Sequence, residues 1–225
     1  MITLKETLII LLLLIFETEC RRQVRPRDLL LNRIIGGSNA PAQTGKFVVR
    51  VIEYVEGNKK YFCGGSLIED DIVLTAGHCV NNEGAFKTIV MYGSHNFNSG
   101  HEVEIPRDSI YQHEEYTEFS TANDIALIHL PYPITHSENV STISIARQAA
   151  DTGTRGDIYG WGVMTRIGWR TSLNLQTAQA TVTMTSICNS AHWISGHDSF
   201  ICLYSFFQTA CNGDSGELSL TTINK

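Results

Sequence analysis

Residues 47–52 read Phe-Val-Val-Arg-Val-Ile, and five of these six side chains are aromatic or β-branched. Similar short runs follow at 88–91 and 124–128, and polar and apolar residues alternate at 179–183. Gly-, Asn- and Ser-rich breaks separate the runs, as at 81–84 and 98–100. Runs of this length suit strands, and the breaks suit the turns that connect them. The pattern therefore predicts an all-β sandwich or barrel.

The composition is that of an ordinary globular protein. The chain has 225 residues, of which 43% are hydrophobic and 18% charged, which is enough for one large or two small domains. Its 17 Lys and Arg residues stand against 23 Asp and Glu, for a net charge of −6. Because a nucleic-acid surface needs a basic excess, we expect no nucleic-acid partner.

The N-terminal segment has the features of a secretory signal. Lys5 precedes an apolar run at 8–16, and a membrane-spanning helix would need roughly 20 such residues. A positive start with a short apolar centre is typical of a signal peptide, which we assign to residues 1–20. The protein is therefore expected to be secreted, without a membrane anchor and with disulfides permitted. The basic stretch 21–33 is interpreted as a solvated, protease-accessible pro-segment.

Three short motifs carry residues suited to nucleophilic catalysis. They are Leu-Thr-Ala-Gly-His-Cys at 74–79, Asn-Asp-Ile-Ala-Leu at 123–127 and Cys-Asn-Gly-Asp-Ser-Gly at 211–216. Acyl transfer at neutral pH needs a hydroxyl, an imidazole that takes its proton and a carboxylate that fixes the imidazole's tautomer. His78, Asp124 and Ser215 supply these groups. Each motif alone is common in structural loops, but together they indicate an acyl-transfer enzyme.

In this order the motifs resemble those of the trypsin/chymotrypsin-like serine proteases. Further matches are Ile-Ile-Gly-Gly at 34–37, Cys-Gly-Gly-Ser-Leu-Ile at 63–68 and Tyr-Gly-Trp-Gly at 159–162, so the resemblance runs from residue 34 to about 216. It implies two Greek-key β-barrels of chymotrypsin type with the active site between them. We expect the first barrel at 34–145 and the second at 146–225.

The resemblance also implies the role of each site residue. Ser215 would attack the peptide carbonyl, and His78 would act as general base and then as general acid. Asp124 would hold the tautomer of His78, and the backbone N–H groups of Gly213 and Ser215 would form the oxyanion hole. The expected substrates are proteins or peptides.

Activation is implied by the same comparison. Cleavage after Arg33 would free the α-amino group of Ile34, which would turn inward and pair with Asp214. The chain would then be a zymogen whose partners include an activating trypsin-like protease and protein inhibitors. Thr209, at the position of the specificity-pocket floor, carries no acid, so a preference for Arg or Lys is disfavoured and a chymotrypsin- or elastase-like preference remains.

The resemblance pairs four of the six cysteines. It implies the disulfides Cys63–Cys79 and Cys188–Cys202. The family partner of Cys211 would lie downstream, and no cysteine follows Cys211 in this sequence. Cys211 is therefore predicted to be an unpaired thiol.

Local sequence patterns bear on modification and on metal binding. Asn139-Val140-Ser141 is a sequon for N-linked glycosylation. The segment 93–97 takes the place of the family's calcium loop but lacks an acidic residue at its start. His95, His101 and His113 do not have the spacing of a zinc site. We expect neither a metal nor another cofactor.

The sequence departs from the family after the serine motif. The family continues with Gly-Pro and several tens of residues, whereas Glu217 follows Gly216 here and the sequence ends at Lys225. This predicts a C-terminally truncated second barrel and leaves two functional hypotheses. One is a secreted serine endopeptidase zymogen, and the alternative is a non-catalytic secreted homologue that acts as a binding protein or decoy. A third reading is that the chain forms no stable protein.

Overall fold

A computed structural model describes residues 37–116, 123–148, 150–162, 172–184, 201–204 and 221–222. Short 3-10 turns lie at Glu56–Asn58, Gly77–Cys79 and Arg107–Ser109. The strands are β1 (Ser38–Asn39), β2 (Val48–Val55), β3 (Lys59–Glu69), β4 (Ile72–Thr75), β5 (Ala85–Tyr92), β6 (His101–Ile105), β7 (Ile110–Gln112), β8 (Ala126–His129), β9 (Arg155–Gly160), β10 (Gln176–Thr183), β11 (Cys202–Tyr204) and β12 (Thr221–Thr222). The all-β prediction is confirmed. In this part of the chain no helix is long and apolar enough to cross a membrane.

The strands form two antiparallel sheets. The first sheet has seven strands in the order β6-β5-β2-β3-β4-β8-β7. The second sheet has five strands among the described residues, in the order β1-β10-β9-β12, with β11 also paired to β10. Strand β1 precedes the whole first sheet in sequence but pairs with β10 of the second, so the start of the described chain is attached to the later sheet. The barrel boundary near residue 145 stays a prediction.

The predicted strand at 47–52 lies at the centre of the first sheet. Strand β2 pairs with β3 on one side and β5 on the other, and seven of its eight residues are buried. A strand covered on both faces needs apolar side chains at consecutive positions, which the β-branched run provides. The core around it consists of Val49, Val51, Leu67, Val73, Cys79, Val80, Val90, Val103, Ile105, Ala126, Ile128, Leu130, Ile134 and Val140.

The second sheet has a smaller cluster of its own. Ile158, Ala178 and Ala180 are buried together, and Leu203 packs against them. Strand β10 alternates buried and more exposed residues, as the polar/apolar alternation at 179–183 predicted. A separate cluster joins residues of both sheets: Ala40, Phe47, Val48, Tyr159, Trp161 and Leu175.

A buried arginine also joins the two sheets. Arg50 of β2 is 3% exposed, and its Nη2 donates to the carbonyl oxygen of Ser99 at 2.6 Å. Its guanidinium lies over the rings of Phe97 and Trp161, 4.9 and 5.3 Å from their centroids. The indole N–H of Trp161 in turn donates to the carbonyl of His95 at 2.8 Å. The loop 93–100 therefore connects the central strand of the first sheet to the second sheet.

Candidate active site

His78 lies in the 3-10 turn Gly77–Cys79, directly after β4. The turn begins after Ala76, which is still extended, and the N–H of Val80 donates to the carbonyl of Gly77 at 3.2 Å. Cys79 is joined to Cys63 of β3 by a disulfide. The backbone that carries His78 is therefore fixed to the neighbouring strand on the side of Cys79.

Asp124 reaches the same turn from the start of β8. Strand β8 pairs with β4, so the residues just before β8 lie beside the residues just after β4. Asn123 has a positive φ of 58°, a left-handed conformation that asparagine tolerates better than most residues. This turn directs Asp124 toward His78.

Both oxygens of Asp124 accept hydrogen bonds from His78. The imidazole Nδ1 lies 2.7 Å from Oδ2, and the backbone N–H donates to Oδ1 at 2.8 Å. An ionised carboxylate can only accept, so Nδ1 carries the proton and Nε2 keeps a lone pair. The side chain of His78 is 44% exposed and that of Asp124 30%, so the pair lies at the surface, and Nε2 of His78 lies 3.6 Å from Sγ of Cys79.

The surroundings keep Asp124 ionised. Burial raises the pKa of this carboxyl, but hydrogen bonds from the His78 side chain, the His78 N–H and the Gly77 N–H together lower the pKa below its ordinary value. A carboxylate that stays charged at neutral pH favours the protonated imidazole that forms during proton transfer.

A groove of about 860 Å³ opens beside His78. Its wall combines aromatic rings, the Cys63–Cys79 disulfide and acidic or amide groups, and its lining is formed by Glu53, Tyr61, Phe62, Cys63, His78, Cys79, Asn81, Asn82, Glu83, Gly84 and Tyr116. The groove is large enough to hold several side chains of a ligand next to the imidazole.

The structure brings together some of the predicted residues. His78 meets Asp124, and Cys63 is bonded to Cys79. Cys202 is disulfide-bonded to a cysteine outside the described residues, and Asn139 is exposed. The other predicted site residues lie outside the described residues: Arg33, Ile34, Cys188, Thr209, Cys211, Gly213, Asp214 and Ser215. Their roles stay predictions.

One group in the described part of the chain has the spacing of metal ligands. The donor atoms of Cys63, His78 and Cys79 lie within 4.8 Å of one another. Because the two sulfurs are joined in a disulfide, they cannot act as thiolate ligands. This group therefore does not offer a metal site in its oxidised form.

The sequence pattern did not reveal Gln112. This last residue of β7 donates from Nε2 to the carbonyl oxygen of Gly77 at 2.9 Å. A glutamine in a three-residue strand has no sequence signal that would link it to a histidine turn 34 positions away. The strand order of the sheet is what brings the two together.

Comparisons with known proteins agree with this geometry. The sequence model of the family described as Trypsin matches residues 34–217. Trypsin theta of Drosophila melanogaster is 31% identical over 189 residues, covering 82% of this chain and 70% of the relative. Trypsin-4 of Rattus norvegicus is 33% identical over 190 residues, covering 82% and 73%.

A solved structure shows the same fold. Neuropsin, a serine protease expressed in the limbic system of mouse brain, superposes with a TM-score of 0.70 over 80% of this chain and 79% of its own, at 24% identity. This likeness confirms the chymotrypsin-type β architecture. By its family match and its relatives, the chain belongs to the trypsin family of serine proteases.

Proposed function

We propose that this chain is a secreted serine endopeptidase zymogen, activated by cleavage after Arg33. Family membership shows a serine endopeptidase in general, acting on protein substrates. The observation that carries the proposal for this chain is the His78–Asp124 pair, in which both carboxylate oxygens accept from the histidine. With Nδ1 bound to the carboxylate, Nε2 of the neutral imidazole keeps a lone pair that can accept a proton.

The mechanism begins with proton transfer to His78. Nε2 takes the proton of the Ser215 hydroxyl while Oγ bonds to the substrate carbonyl carbon. The N–H groups of Gly213 and Ser215 stabilise the resulting oxyanion, an interaction worth roughly 3–4 kcal/mol per donor in enzymes of this type. His78 then gives the proton to the leaving amine, and water repeats the sequence to release the acid. Asp124 stays ionised throughout and stabilises the imidazolium.

Activation and specificity complete the proposal. The new α-amino group of Ile34 pairs with Asp214 and orders the oxyanion loop. Thr209 at the pocket floor offers no charge for a basic side chain, so we propose an uncharged side chain on the acyl side of the cleaved bond. The groove beside His78 supports binding of an extended peptide, because its aromatic and amide lining suits both side chains and backbone.

Active-site labelling tests this function. The full chain, cleaved after Arg33 and verified by an N-terminal Ile34, is treated with a fluorophosphonate that phosphonylates an activated serine with loss of fluoride. We expect one label at Ser215, found by mass spectrometry. The Ser215→Ala variant and an uncleavable Arg33→Gln variant, treated identically, should remain unlabelled or nearly so.

The opposite outcome is also informative. A cleaved protein that unfolds cooperatively on heating, and so is folded, but takes no label at Ser215 would contradict the enzymatic proposal. That result would support the alternative, a non-catalytic secreted homologue that binds proteins. Absence of any cooperative transition would instead support the reading that the chain forms no stable protein.

A further inference from the structure

The peptide unit between Gly77 and His78 is held at both of its polar ends. Its N–H, which belongs to His78, donates to Oδ1 of Asp124 at 2.8 Å. Its carbonyl, which belongs to Gly77, accepts from Nε2 of Gln112 at 2.9 Å. The backbone immediately before the imidazole is therefore fixed by Asp124 on one side and by Gln112 on the other.

The sheet order explains how Gln112 reaches this peptide. Ala126 of β8 is paired with Thr75 of β4 on one side and with Gln112 of β7 on the other. Asp124 lies two residues before Ala126, and Gly77 two residues after Thr75. Three adjacent strands thus place the carboxylate, the histidine turn and the Gln112 amide at one end of the first sheet.

The backbone of Gly77 lies close to the residues around it. It has no side chain, and a Cβ built there would lie 3.2 Å from Oδ1 of Asp124, 3.3 Å from the N of Ile125 and 3.3 Å from Cγ of Tyr116. The turn therefore packs closely against these neighbours, and Gly77 has no side chain that could hold it in place. Its carbonyl has two partners, the Gln112 amide at 2.9 Å and the Val80 N–H at 3.2 Å, and the amide is the nearer.

We propose that Gln112 is a positioning residue for the proton transfer by His78. Its amide polarises the Gly77–His78 peptide, which strengthens the N–H donor that faces Asp124. It also limits rotation of that peptide, and so fixes the direction from which the imidazole meets the carboxylate. The role in catalysis rests on the proposed function, whereas the effect on the His78–Asp124 hydrogen bond does not.

Three variants of the full, Arg33-cleaved chain test this inference. Gln112→Met keeps the length of the side chain but removes the donor, and Gln112→Lys keeps a donor at its end. Tyr111→Met is the matched control, since Tyr111 is the neighbouring residue on β7 and its side chain is 60% exposed. The readouts are kcat and KM on a peptide ester, the thermal midpoint, and the downfield NMR signal of the His78 Nδ1 proton.

We expect Gln112→Met to lower kcat roughly tenfold, the factor that corresponds to one lost hydrogen bond, with KM and the thermal midpoint little changed. Its Nδ1 proton should shift or broaden, while Gln112→Lys and Tyr111→Met should resemble the wild type in kcat and in this signal. A Gln112→Met protein with wild-type kcat and signal would overturn the proposal. A loss of kcat that parallels a fall in the thermal midpoint, and that Gln112→Lys does not restore, would also overturn the proposal.

The NMR arm separates this inference from the proposed function. If the wild type takes no fluorophosphonate and hydrolyses no ester, the endopeptidase proposal fails. The Nδ1 signal then still decides whether Gln112 positions the pair. A changed signal in Gln112→Met, but not in Tyr111→Met, supports the inference, and an unchanged one overturns it.

Discussion

The two sheets differ in how much of the candidate site each supplies. Within the described residues, the first sheet has a core cluster of fourteen buried residues, and the second sheet's own cluster has three. Every described contact that fixes His78 lies within the first sheet and its connecting loops: Asp124, the Cys63–Cys79 disulfide and Gln112. The predicted nucleophile, Ser215, belongs to the later part of the chain. Within the described residues, the base of the proposed triad is thus held by the first sheet and its connecting loops.

This separation matters for the chemistry. A general base works best when it is held in one orientation before the substrate arrives, because no free energy is then needed to order it. The first sheet meets this condition through its strand pairing and disulfide. The second sheet is linked to it by mixed packing, such as the edge contact of Phe47 with Tyr159 at 5.8 Å between ring centroids. Substitutions confined to one sheet should therefore have effects that differ from those of substitutions in the other sheet.

The largest effect is expected from Asp124→Asn in the activated chain. An amide at this position can donate to Nδ1, which favours the wrong tautomer of His78 and leaves Nε2 without its lone pair. The corresponding change in a well-studied serine protease lowers kcat about 10⁴-fold, and we expect a similar loss here. The measurement is kcat for ester hydrolysis together with the rate of fluorophosphonate labelling.

The chain offers a matched control for this change. His136 Nε2 lies 2.8 Å from Oδ1 of Asp70, an exposed His–Asp pair of similar length at the turn between β3 and β4. Asp70→Asn removes the negative charge from that pair without touching His78, so kcat should stay within about twofold of wild type. Equal losses in the two variants would mean that the effect of Asp124→Asn is a general loss of structure.

A second prediction compares the same substitution in the two cores. Ile128 in the first sheet is 0% exposed and Ile158 in the second is 6% exposed. Cavity formation costs more where many neighbours cannot relax, so Ile128→Ala should lower the free energy of unfolding by about 4 kcal/mol and Ile158→Ala by about 2 kcal/mol. Urea titration followed by circular dichroism, extrapolated linearly to water, measures both.

Comparing the two losses in the free energy of unfolding shows whether the larger core cluster also gives greater stability. Equal losses would show that the larger cluster of the first sheet does not make it the more stable region. A larger loss for Ile158→Ala would reverse the comparison. Two separate transitions in either variant would show that the two regions unfold independently.

The sequence predicted most of what depends on local pattern. The run at 47–52 became the buried central strand, and the motif residues His78 and Asp124 are hydrogen-bonded. The sequence did not predict features that depend on strand register, because no single segment specifies which strands pair. Gln112 acts on a turn from two strands away, and Ser38–Asn39 has little strand propensity yet pairs with β10.

Two charged residues in or beside the run at 47–52 are buried against partners that local sequence does not reveal. Arg50 lies in the middle of the run at 47–52, and its burial is explained by Phe97 and Trp161, which are distant in sequence. Glu53 follows the same run and is 2% exposed, with Nη1 of Arg107 at 3.3 Å from its Oε1. A sequence alone does not say which partners will compensate such charges.

Glu53 and Asp124 give the first region two carboxyls with opposite pKa shifts. Burial raises the pKa of Glu53 by more than Arg107 and the Asn82 backbone lower it. The folded state therefore favours the protonated acid, and this contribution to stability is lost as the pH rises through the folded pKa. Burial raises the pKa of Asp124, but the hydrogen bonds from His78, the charge interaction with His78 and the Gly77 N–H together lower this pKa below its ordinary value. Its contribution is present above the unfolded pKa and is lost as the pH falls through the folded one.

The smallest expected effect follows from these signs. Between about pH 4 and pH 7, Glu53→Gln should gain stability relative to the wild type, because the variant has no buried carboxyl to ionise. Asp124→Asn should show the opposite trend. Its stability deficit relative to the wild type should shrink as the pH falls, because the wild-type carboxylate becomes protonated. Urea midpoints at several pH values, at constant ionic strength, measure both slopes. Parallel curves for wild type and Glu53→Gln would contradict the raised pKa, and would mean that Arg107 fully compensates the Glu53 charge. Of these two carboxyls, Asp124, which also fixes His78, would then be the one that contributes to the pH dependence of stability.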